Sequence, residues 1–300
     1  MKEQLKMGIF ILVTILGVPL IIIYRTGYNS EACIEKIKYN IESKNEWKDI
    51  IQEEVLVGIL AKQIPSTYEV QAIKAQALIS RTYMARRILG IERNGALKGY
   101  SVDEMKELWG SDYDEIYDIY KEAIVDTCNE VIVYKNNIIE PLYHKSSSGV
   151  TRDGSALYHR EIPYLKSVES LVDKVSKQIM MPRKDLTNRL KDEYKELVII
   201  ADNIEDQIQI VEKDTGGYVV SLQIGNLIID GEEFRKLINL PSACFEIYVA
   251  DNRIIFDVRG QGSGIGLSQN GSNELAKKGM NYKEIIQYYY TGIEIQKREM

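Results

Sequence analysis

The sequence predicts an α+β protein, in which a helical platform packs on antiparallel β-hairpins. Two observations lead to this prediction. Helix-type spacing of apolar residues dominates residues 46–128, and β-rich runs separated by short turns dominate residues 131–260. With 300 residues, the chain is long enough to bury a core without disulfide or metal cross-links.

The first predicted element is an uncharged apolar run, Met7–Tyr24, which follows Lys2 and Lys6. A run of this length is just long enough to cross a membrane as a transmembrane helix. Lysines on the short side keep that side in the cytoplasm, and no small-residue cleavage site follows promptly. We therefore expect residues 1–30 to be a single-pass cell-membrane anchor and residues 31–300 to be an extracytoplasmic domain. A cleaved signal peptide is the alternative.

Three helices are predicted after this anchor. They are residues 46–64, 66–90 and 103–128. Pro65 separates the first two, because proline cannot continue a helix. Ser66 with Glu69, and Ser101 with Glu104, have the spacing of capping boxes and predict where the second and third helices begin.

The second half of the chain predicts strands. The three expected hairpins are residues 131–144, 207–225 and 245–260, with turns at Lys-Asn-Asn, Asp-Thr-Gly-Gly and Asp-Asn. The charged residues 171–207 have only weak helix signals. A glycine-rich loop, residues 260–271, leads into a helical tail and fits neither of the common phosphate-binding glycine motifs.

Composition excludes several function classes. The formal net charge is −6, whereas a protein that binds duplex nucleic acid normally has a basic excess, so we expect no nucleic-acid partner. The three cysteines, Cys33, Cys128 and Cys244, lack the close spacing of a CxxC zinc site. The two histidines, His144 and His159, exclude a histidine-rich metal centre.

Two polar segments could carry chemistry. His144 stands beside three serines, but members of a catalytic triad meet in space and not in sequence, so a polar loop is the simpler interpretation. The second predicted helix places Lys74, Gln76, Arg81 and Tyr83 within three turns. Such a polar face either lies in water or lines a cleft, and the residues alone leave both interpretations open.

Five collinear segments resemble one family. The first, VLVGILAKQIPSTYEVQAIKAQALISRTYMA, is similar to V-x-G-V-V-A-x-E-M-P followed by E-A-L-K-A-Q-A-x-x-A-R-T-Y, the pattern of the stage II sporulation protein D family (the SpoIID/LytB domain). The others are IIEPLYHKSSSGVT, EIPYLKSVES, DGEEFRKLINLPSACFEI and IGLSQNGSNELAKKGMNYKEIIQYYYTGIEI. The resemblance covers most of residues 50–295.

The resemblance implies a lytic transglycosylase that acts on peptidoglycan glycan strands. It also implies engulfment during sporulation as the setting, with stage II sporulation proteins M and P as partners. One carboxylic acid would protonate the glycosidic oxygen, and the 6-hydroxyl of muramic acid would close to a 1,6-anhydro product. A second carboxylate is not needed, unlike in the two-carboxylate glycosidases.

This chain departs from the family pattern at the expected cleft. Gln63 stands where the family has its catalytic Glu, and Gln71 stands at a second Glu position. An amide cannot supply the proton, and general acid catalysis is commonly worth roughly 10²–10⁴-fold. Ser148 replaces a glycine, Lys145 replaces a small polar residue, and the glycine-rich loop lacks a His-Gly pair. Some members bind zinc through His and Cys near the serine loop; His144 is retained without a nearby cysteine, so no cofactor is expected.

The expected function is a membrane-anchored protein that binds or acts on peptidoglycan with impaired catalysis. The positions that match the family's cleft are Lys74, Gln76, Arg81, Tyr83, His144, Ser147, Gly149, Ser268 and Gln269, with Gln63 at the acid position. The alternative is an active lytic transglycosylase with a relocated acid. The candidates for that acid are Glu53, Glu54, Glu69 and Glu161.

Overall fold

The computed structural model describes residues 53–91, 98–170, 176–251 and 253–298. The predicted anchor, Met7–Tyr24, lies outside these residues, as does the first part of the first predicted helix. Within the described ranges, no helix is both long enough and apolar enough to cross a membrane.

Helices and strands are mixed along the described chain. The α-helices are α1 (Glu53–Gln63), α2 (Val70–Ile88), α3 (Val102–Trp109), α4 (Tyr113–Asp126), α5 (Ser155–Tyr158), α6 (Arg183–Glu193), α7 (Gly231–Ile238), α8 (Gln269–Lys277) and α9 (Tyr282–Tyr289). Two 3₁₀ segments, Gly110–Asp112 and Ala201–Gln207, lie between them.

The strands are short, and most pair antiparallel. They are β1 (Glu130–Tyr134), β2 (Asn137–Ile138), β3 (Tyr143–His144), β4 (Ser176–Pro182), β5 (Ile208–Lys213), β6 (Val219–Ile224), β7 (Leu227–Asp230), β8 (Cys244–Ala250), β9 (Arg253–Arg259), β10 (Leu267–Ser268) and β11 (Glu294–Lys297). They form sheets in the orders β11-β1-β2, β10-β3, β4-β9-β8 and β5-β6-β7. The predicted α+β class is confirmed.

The hairpin predictions are confirmed in two cases and corrected in one. β5 pairs with β6, and β8 pairs with β9. In the first hairpin, Lys135 and Asn136 have φ values of 47° and 64°, as a mirror-image two-residue turn requires. However, that hairpin ends at Ile138. Tyr143 and His144, predicted as its far end, instead form β3, which pairs parallel with β10.

Of the two predicted capping boxes, one is confirmed and one is wrong. Ser101 and Glu104 form the predicted box at the start of α3. The capping box predicted at Ser66 is wrong. The helix α2 begins at Val70, and the side chain of its N-cap residue, Glu69, makes no capping hydrogen bond. The backbone N–H of Glu69 instead donates to Oδ1 of Asn273 at 2.7 Å, so a distant helix supplies the missing acceptor. Gly110, with φ of +54°, lies in the 3₁₀ segment that divides the third predicted helix into α3 and α4.

Residues 171–207 prove to contain a strand and a helix. β4 pairs with β9 along its whole length, and α6 follows directly. The core of this strand-rich half includes Phe234, Phe245 and Phe256, whose ring centroids lie 5.7–5.9 Å apart. Two other clusters pack around α2 in the helical half, so the two halves have separate apolar interiors.

A buried ionic junction joins the serine loop to the strand-rich half. Arg152 is 2% exposed; its Nε lies 2.7 Å from Asp214 and its Nη1 lies 2.9 Å from Glu232. Arg235 binds the other oxygen of Glu232 at 2.8 Å. The guanidinium also lies over the ring of Tyr218, 4.9 Å from its centroid. We call these five residues the ionic junction.

Candidate functional site

Three helices bring polar side chains together at the end of α1. Gln63 is the last residue of α1, Gln76 and Ser80 lie one turn apart on α2, and Gln269 is the first residue of α8. We call these four residues the amide cluster. Gln76, Ser80 and Gln269 are buried, and Gln63 is half-buried. The cluster therefore opens outward at Gln63.

Local sequence explains why each element ends or begins at this point. Pro65 follows the last turn of α1 and prevents its continuation. Ser268 caps α8 by accepting a hydrogen bond from the backbone of Gly271 at 3.2 Å, which fixes Gln269 in the first turn.

Hydrogen bonds connect the four side chains. Nε2 of Gln269 donates to the main-chain oxygen of Gln63 at 2.8 Å and to Oε1 of Gln76 at 3.2 Å. Nε2 of Gln76 donates to Oε1 of Gln63 at 3.1 Å, and the Ser80 hydroxyl donates to the same oxygen at 2.5 Å. The side-chain oxygen of Gln63 thus accepts from two donors. No residue in the described part of the chain accepts a hydrogen bond from its amide nitrogen.

His144 lies beside this cluster. In the β3-β10 pairing it stands opposite Ser268, the residue that precedes Gln269. Its Nδ1 lies 3.1 Å from the carbonyl oxygen of Ile265, which can only accept, so Nδ1 carries a proton. The glycine-rich loop packs closely here: a Cβ on Gly262 would lie 2.8 Å from Cβ of His144.

The serine loop is held by the opposite half of the molecule. The backbone of Gly149 donates to Oγ of Ser147 at 3.2 Å, and Ser147 is fully buried. Ser148 donates from Oγ to the carbonyl of Gly216 at 2.8 Å, and its N–H donates to the hydroxyl of Tyr218 at 3.1 Å. The serine that replaces a family glycine therefore anchors the loop to the β5–β6 turn.

Lys145, another departure from the family pattern, contacts the first turn of α8 and the turn before α2. Its ammonium is 4.6 Å from the ring centroid of Tyr68, and its carbonyl accepts from the backbone of Asn270 at 3.0 Å. The Tyr68 hydroxyl in turn donates to the side chain of Asn270. These contacts form a polar wall between α8 and the turn that precedes α2.

The structure does not bring Lys74 or Arg81 to the amide cluster. Lys74 binds Glu122 and Asp126 on α4, at 3.1 and 2.5 Å; burial lowers its pKa, but the two carboxylates outweigh this and leave the pKa raised. Arg81 is buried and donates to Thr127 at 3.3 Å. Burial lowers the pKa of Arg81 to about 10. Both residues hold α2 against α4.

Tyr83 and Gln71 lie on other parts of α2. Tyr83 is half-buried near Tyr143, whose pKa is raised by burial and further by this neighbour. Gln71, at the second family Glu position, accepts a hydrogen bond from the backbone of Tyr282 at 2.9 Å, in the first turn of α9. Gln71 therefore links α2 to α9 and does not contact Gln63.

The candidate replacement acids do not join the cluster where the structure describes them. Glu161 is exposed and binds Lys166 at 3.0 Å. Glu69 is exposed in the turn before α2. Neither makes a hydrogen bond to the amide cluster within the described ranges. The side chains of Glu53 and Glu54 lie outside the description.

The residues around His144 do not fit a zinc ion. No group of three or more His, Cys, Asp and Glu side chains in the described part could hold a metal. Cys128 is disulfide-bonded, and burial raises the pKa of the free Cys244 thiol, which disfavours the thiolate that zinc requires.

Sequence reasoning missed Ser80. The family pattern A-x-x-A-R-T-Y has alanine at this position, so the departure was visible in the sequence, but its meaning depends on contact with Gln63. Chemically, the cluster can donate and accept hydrogen bonds but has no acid to transfer a proton.

Comparisons with known proteins find relatives in one family. A family model described as "Stage II sporulation protein" matches residues 41–134. Stage II sporulation protein D of Bacillus subtilis is 30% identical over 264 residues, which cover 84% of this chain and 76% of that protein. The protein of the same name from Bacillus amyloliquefaciens is 29% identical, covering 86% and 77%. A Bacillus subtilis protein named amidase enhancer is 23% identical, covering 79% of this chain and 39% of that protein.

Proposed function

The chain belongs to the stage II sporulation protein D family, and we propose that it binds peptidoglycan glycan strands with little or no lytic transglycosylase activity. The names of its relatives support a role in sporulation and in the cell wall. The observation that carries the proposal is Gln63 at the acid position, with its amide oxygen bound by Gln76 and Ser80.

Two features support loss of catalysis together with retention of a binding cleft. An amide at this position cannot protonate a glycosidic oxygen. The surrounding framework is nevertheless ordered by hydrogen bonds, from the cap of α8 at Ser268 to the Ser147–Gly149 turn. A degraded site would have left buried polar groups at Gln76 and Gln269 without partners, and both are paired.

We further propose that the domain lies outside the cytoplasm and is anchored through Met7–Tyr24. The disulfide at Cys128 supports this, because disulfides persist mainly in oxidising compartments. Stage II sporulation proteins M and P are the proposed partners, by family resemblance. Protease added to intact protoplasts should remove the domain; protection, or a free mature protein cleaved near residue 30, would contradict the anchor.

A second candidate function is assistance to another wall enzyme. The relative named amidase enhancer favours it, because a protein without a catalytic acid can still present glycan to an enzyme that cleaves elsewhere. Adding this chain to a peptidoglycan amidase and measuring released peptide tests that candidate directly.

The main proposal is tested with full-length protein in detergent. It is incubated with purified glycan strands stripped of their stem peptides, and retention is compared with that of an unrelated acidic protein. We expect retention and no 1,6-anhydro-muramic products by mass spectrometry. Release of these products, at a rate unchanged by Gln63→Ala, would show that an acid lies elsewhere. No retention would refute binding.

A further inference from the structure

The orientation of the Gln63 amide follows from one main-chain carbonyl. The backbone oxygen of Gln63 can only accept, so Gln269 must direct its amide nitrogen toward it. The second proton of that nitrogen serves Oε1 of Gln76. Gln76 therefore directs its own nitrogen at Gln63, which meets it with oxygen. The amide nitrogen of Gln63 is left as the outward end of the cluster.

Ser80 strengthens the same orientation. Its oxygen lies 2.5 Å from Oε1 of Gln63 and 2.9 Å from the main-chain oxygen of Gln76. The hydroxyl has a single proton, which lies toward the nearer acceptor, Oε1 of Gln63. A hydroxyl proton directed at residue 63 favours an oxygen in that position. The family pattern has alanine here, so the amide at 63 and the hydroxyl at 80 depart from the pattern together and are complementary.

An amide and a carboxylic acid differ in how they present hydrogen to a ligand. A carboxyl group donates only while it is protonated, and an ionised carboxylate is purely an acceptor. The amide nitrogen donates at every pH between the limits of protein stability. Gln63 thus imitates the protonated form of the family's acid without being able to release the proton.

We propose that Ser80, Gln76 and Gln269 fix Gln63 as a permanent hydrogen-bond donor to a neutral acceptor oxygen of a glycan, such as a glycosidic, hydroxyl or acetamido oxygen. This inference rests on the proposed glycan binding. Ser80 is a positioning residue in it, and Gln63 is the residue that touches the ligand. Glycan binding is then insensitive to pH at this position.

Titratable groups also lie around the end of α1. Those brought here by α1 itself and by the elements packed against it include Lys62, Tyr68, Glu69, Tyr100, Glu104, Tyr120, His144 and Lys145. The cluster residues on α2 and α8 are neutral. These native groups are unchanged in every variant below, and Gln63→Met adds no titratable group, so a difference between Gln63→Glu and the other proteins reports on the carboxyl at residue 63.

The first test measures retention on stripped glycan for the full-length protein and for Gln63→Glu, between about pH 2.5 and pH 8, because donors such as Gln76 and Ser80 lower the pKa of a carboxyl below its usual value of about 4.3. The control is Gln209→Glu, which adds the same charge on the exposed face of β5. We expect Gln63→Glu to lose about tenfold in affinity as pH rises through the carboxyl pKa, since an acceptor then faces an acceptor. Wild type and control should share one pH profile. Equal profiles for all three proteins would overturn the proposal.

Gln63→Met is the shape-matched variant without a donor, and it should weaken retention equally at every pH. Retention equal to that of wild type would remove Gln63 as a contact. These results differ from failure of the proposed function, in which the wild-type protein itself is not retained at any pH.

The second test needs no glycan. The carboxyl introduced by Gln63→Glu is titrated by ¹³C NMR, alone and with Ser80→Ala. Donors to the charged form lower a carboxyl pKa, so removing the Ser80 hydroxyl should raise it, by about one unit. An unchanged pKa would show that Ser80 does not position residue 63 and would overturn its role.

Discussion

The ionic junction and the amide cluster are both buried polar networks, and they differ in how completely they are satisfied. At the junction, Arg152 is paired with two carboxylates and Glu232 with a second arginine. In the amide cluster every bond is between neutral groups, and the Gln63 nitrogen has no acceptor within the described chain. A network whose charges are all paired within the protein is suited to a structural role. A network with an unpaired donor is suited to binding a ligand.

The physical reason lies in desolvation. A buried charge without its partner is costly, so charged networks persist only where the protein itself completes them. A neutral amide at the edge of a cluster can exchange water for a ligand oxygen at a much smaller penalty. The junction therefore maintains the link between the halves, and the cluster remains available for recognition.

The largest expected effect is at the junction. Arg152→Met leaves the half-buried Asp214 without its arginine and the buried Glu232 with Arg235 alone, and we expect a loss of about 3 kcal/mol in the free energy of unfolding. Urea unfolding followed by circular dichroism measures it. The control is Arg259→Met, whose partner Glu246 is 3.9 Å away at the surface, with a change below about 1 kcal/mol. If both variants lost the same free energy of unfolding, the ionic junction would contribute no more to stability than a surface ion pair.

The glycine-rich loop links the two networks, and its perturbation is expected to rank second. The N–H of Arg152 donates to the carbonyl of Gly264 at 2.8 Å. The loop, predicted to run to residue 271, ends at Ser268, because α8 begins at Gln269. Gly266 has φ of +74°, and a Cβ there would lie 1.9 Å from the carbonyl oxygen of Leu142. We expect Gly266→Ala to cost about 2–3 kcal/mol and to weaken glycan retention as well. Gly279→Ala, also at positive φ but in open space, is the matched control. Equal unfolding free energies for the two variants would contradict the clash.

These networks also separate what sequence could predict from what it could not. The end of α1 and the cap of α3 depend on neighbours within a few residues, and the sequence predicted both. The bonds of Gln63 to Gln76, Ser80 and Gln269 span 13, 17 and 206 positions, so pattern alone could not pair them.

The same cause explains the false cap at Ser66 and the positions of two predicted site residues. The false cap at Ser66 failed because Asn273, distant in sequence, took the N–H of Glu69. Lys74 and Arg81 match family cleft positions, yet their partners on and just after α4 turn them away from Gln63. Tertiary contact overrode a valid local pattern in each case.

Introducing a carboxyl group at residue 63 tests how the neutral hydrogen bonds of the amide cluster affect an acid placed there. Gln63→Glu alone should release few anhydro products near neutral pH, because Gln76 and Ser80 stabilise the ionised form and lower the acid's pKa. Adding Ser80→Ala should raise that pKa, and product release should increase by up to about tenfold, since each unit multiplies the protonated fraction tenfold above the pKa. The activity of both variants should rise as pH falls toward the pKa.

Mass spectrometry of digests from stripped glycan measures this. Thr187→Ala in the Gln63→Glu background is the control, because it removes a buried helical hydroxyl on α6 instead. A double variant with Ser80→Ala that is no more active than the control would mean that the hydroxyl does not govern the introduced acid.

The smallest effect should come from Ser80→Ala in the otherwise unchanged chain. It removes one of two donors to the Gln63 oxygen, while Gln76 still holds the amide in the same orientation. We expect the free energy of unfolding to change by less than about 1 kcal/mol, because the lost bond is neutral and alanine is the better helix former. Glycan affinity should fall by about threefold, as the amide gains freedom that binding must then restrict. Thr187→Ala should leave affinity unchanged. Should Ser80→Ala instead unfold the protein as readily as Arg152→Met, the amide cluster would be a structural joint like the ionic junction, and the difference between the two networks would disappear.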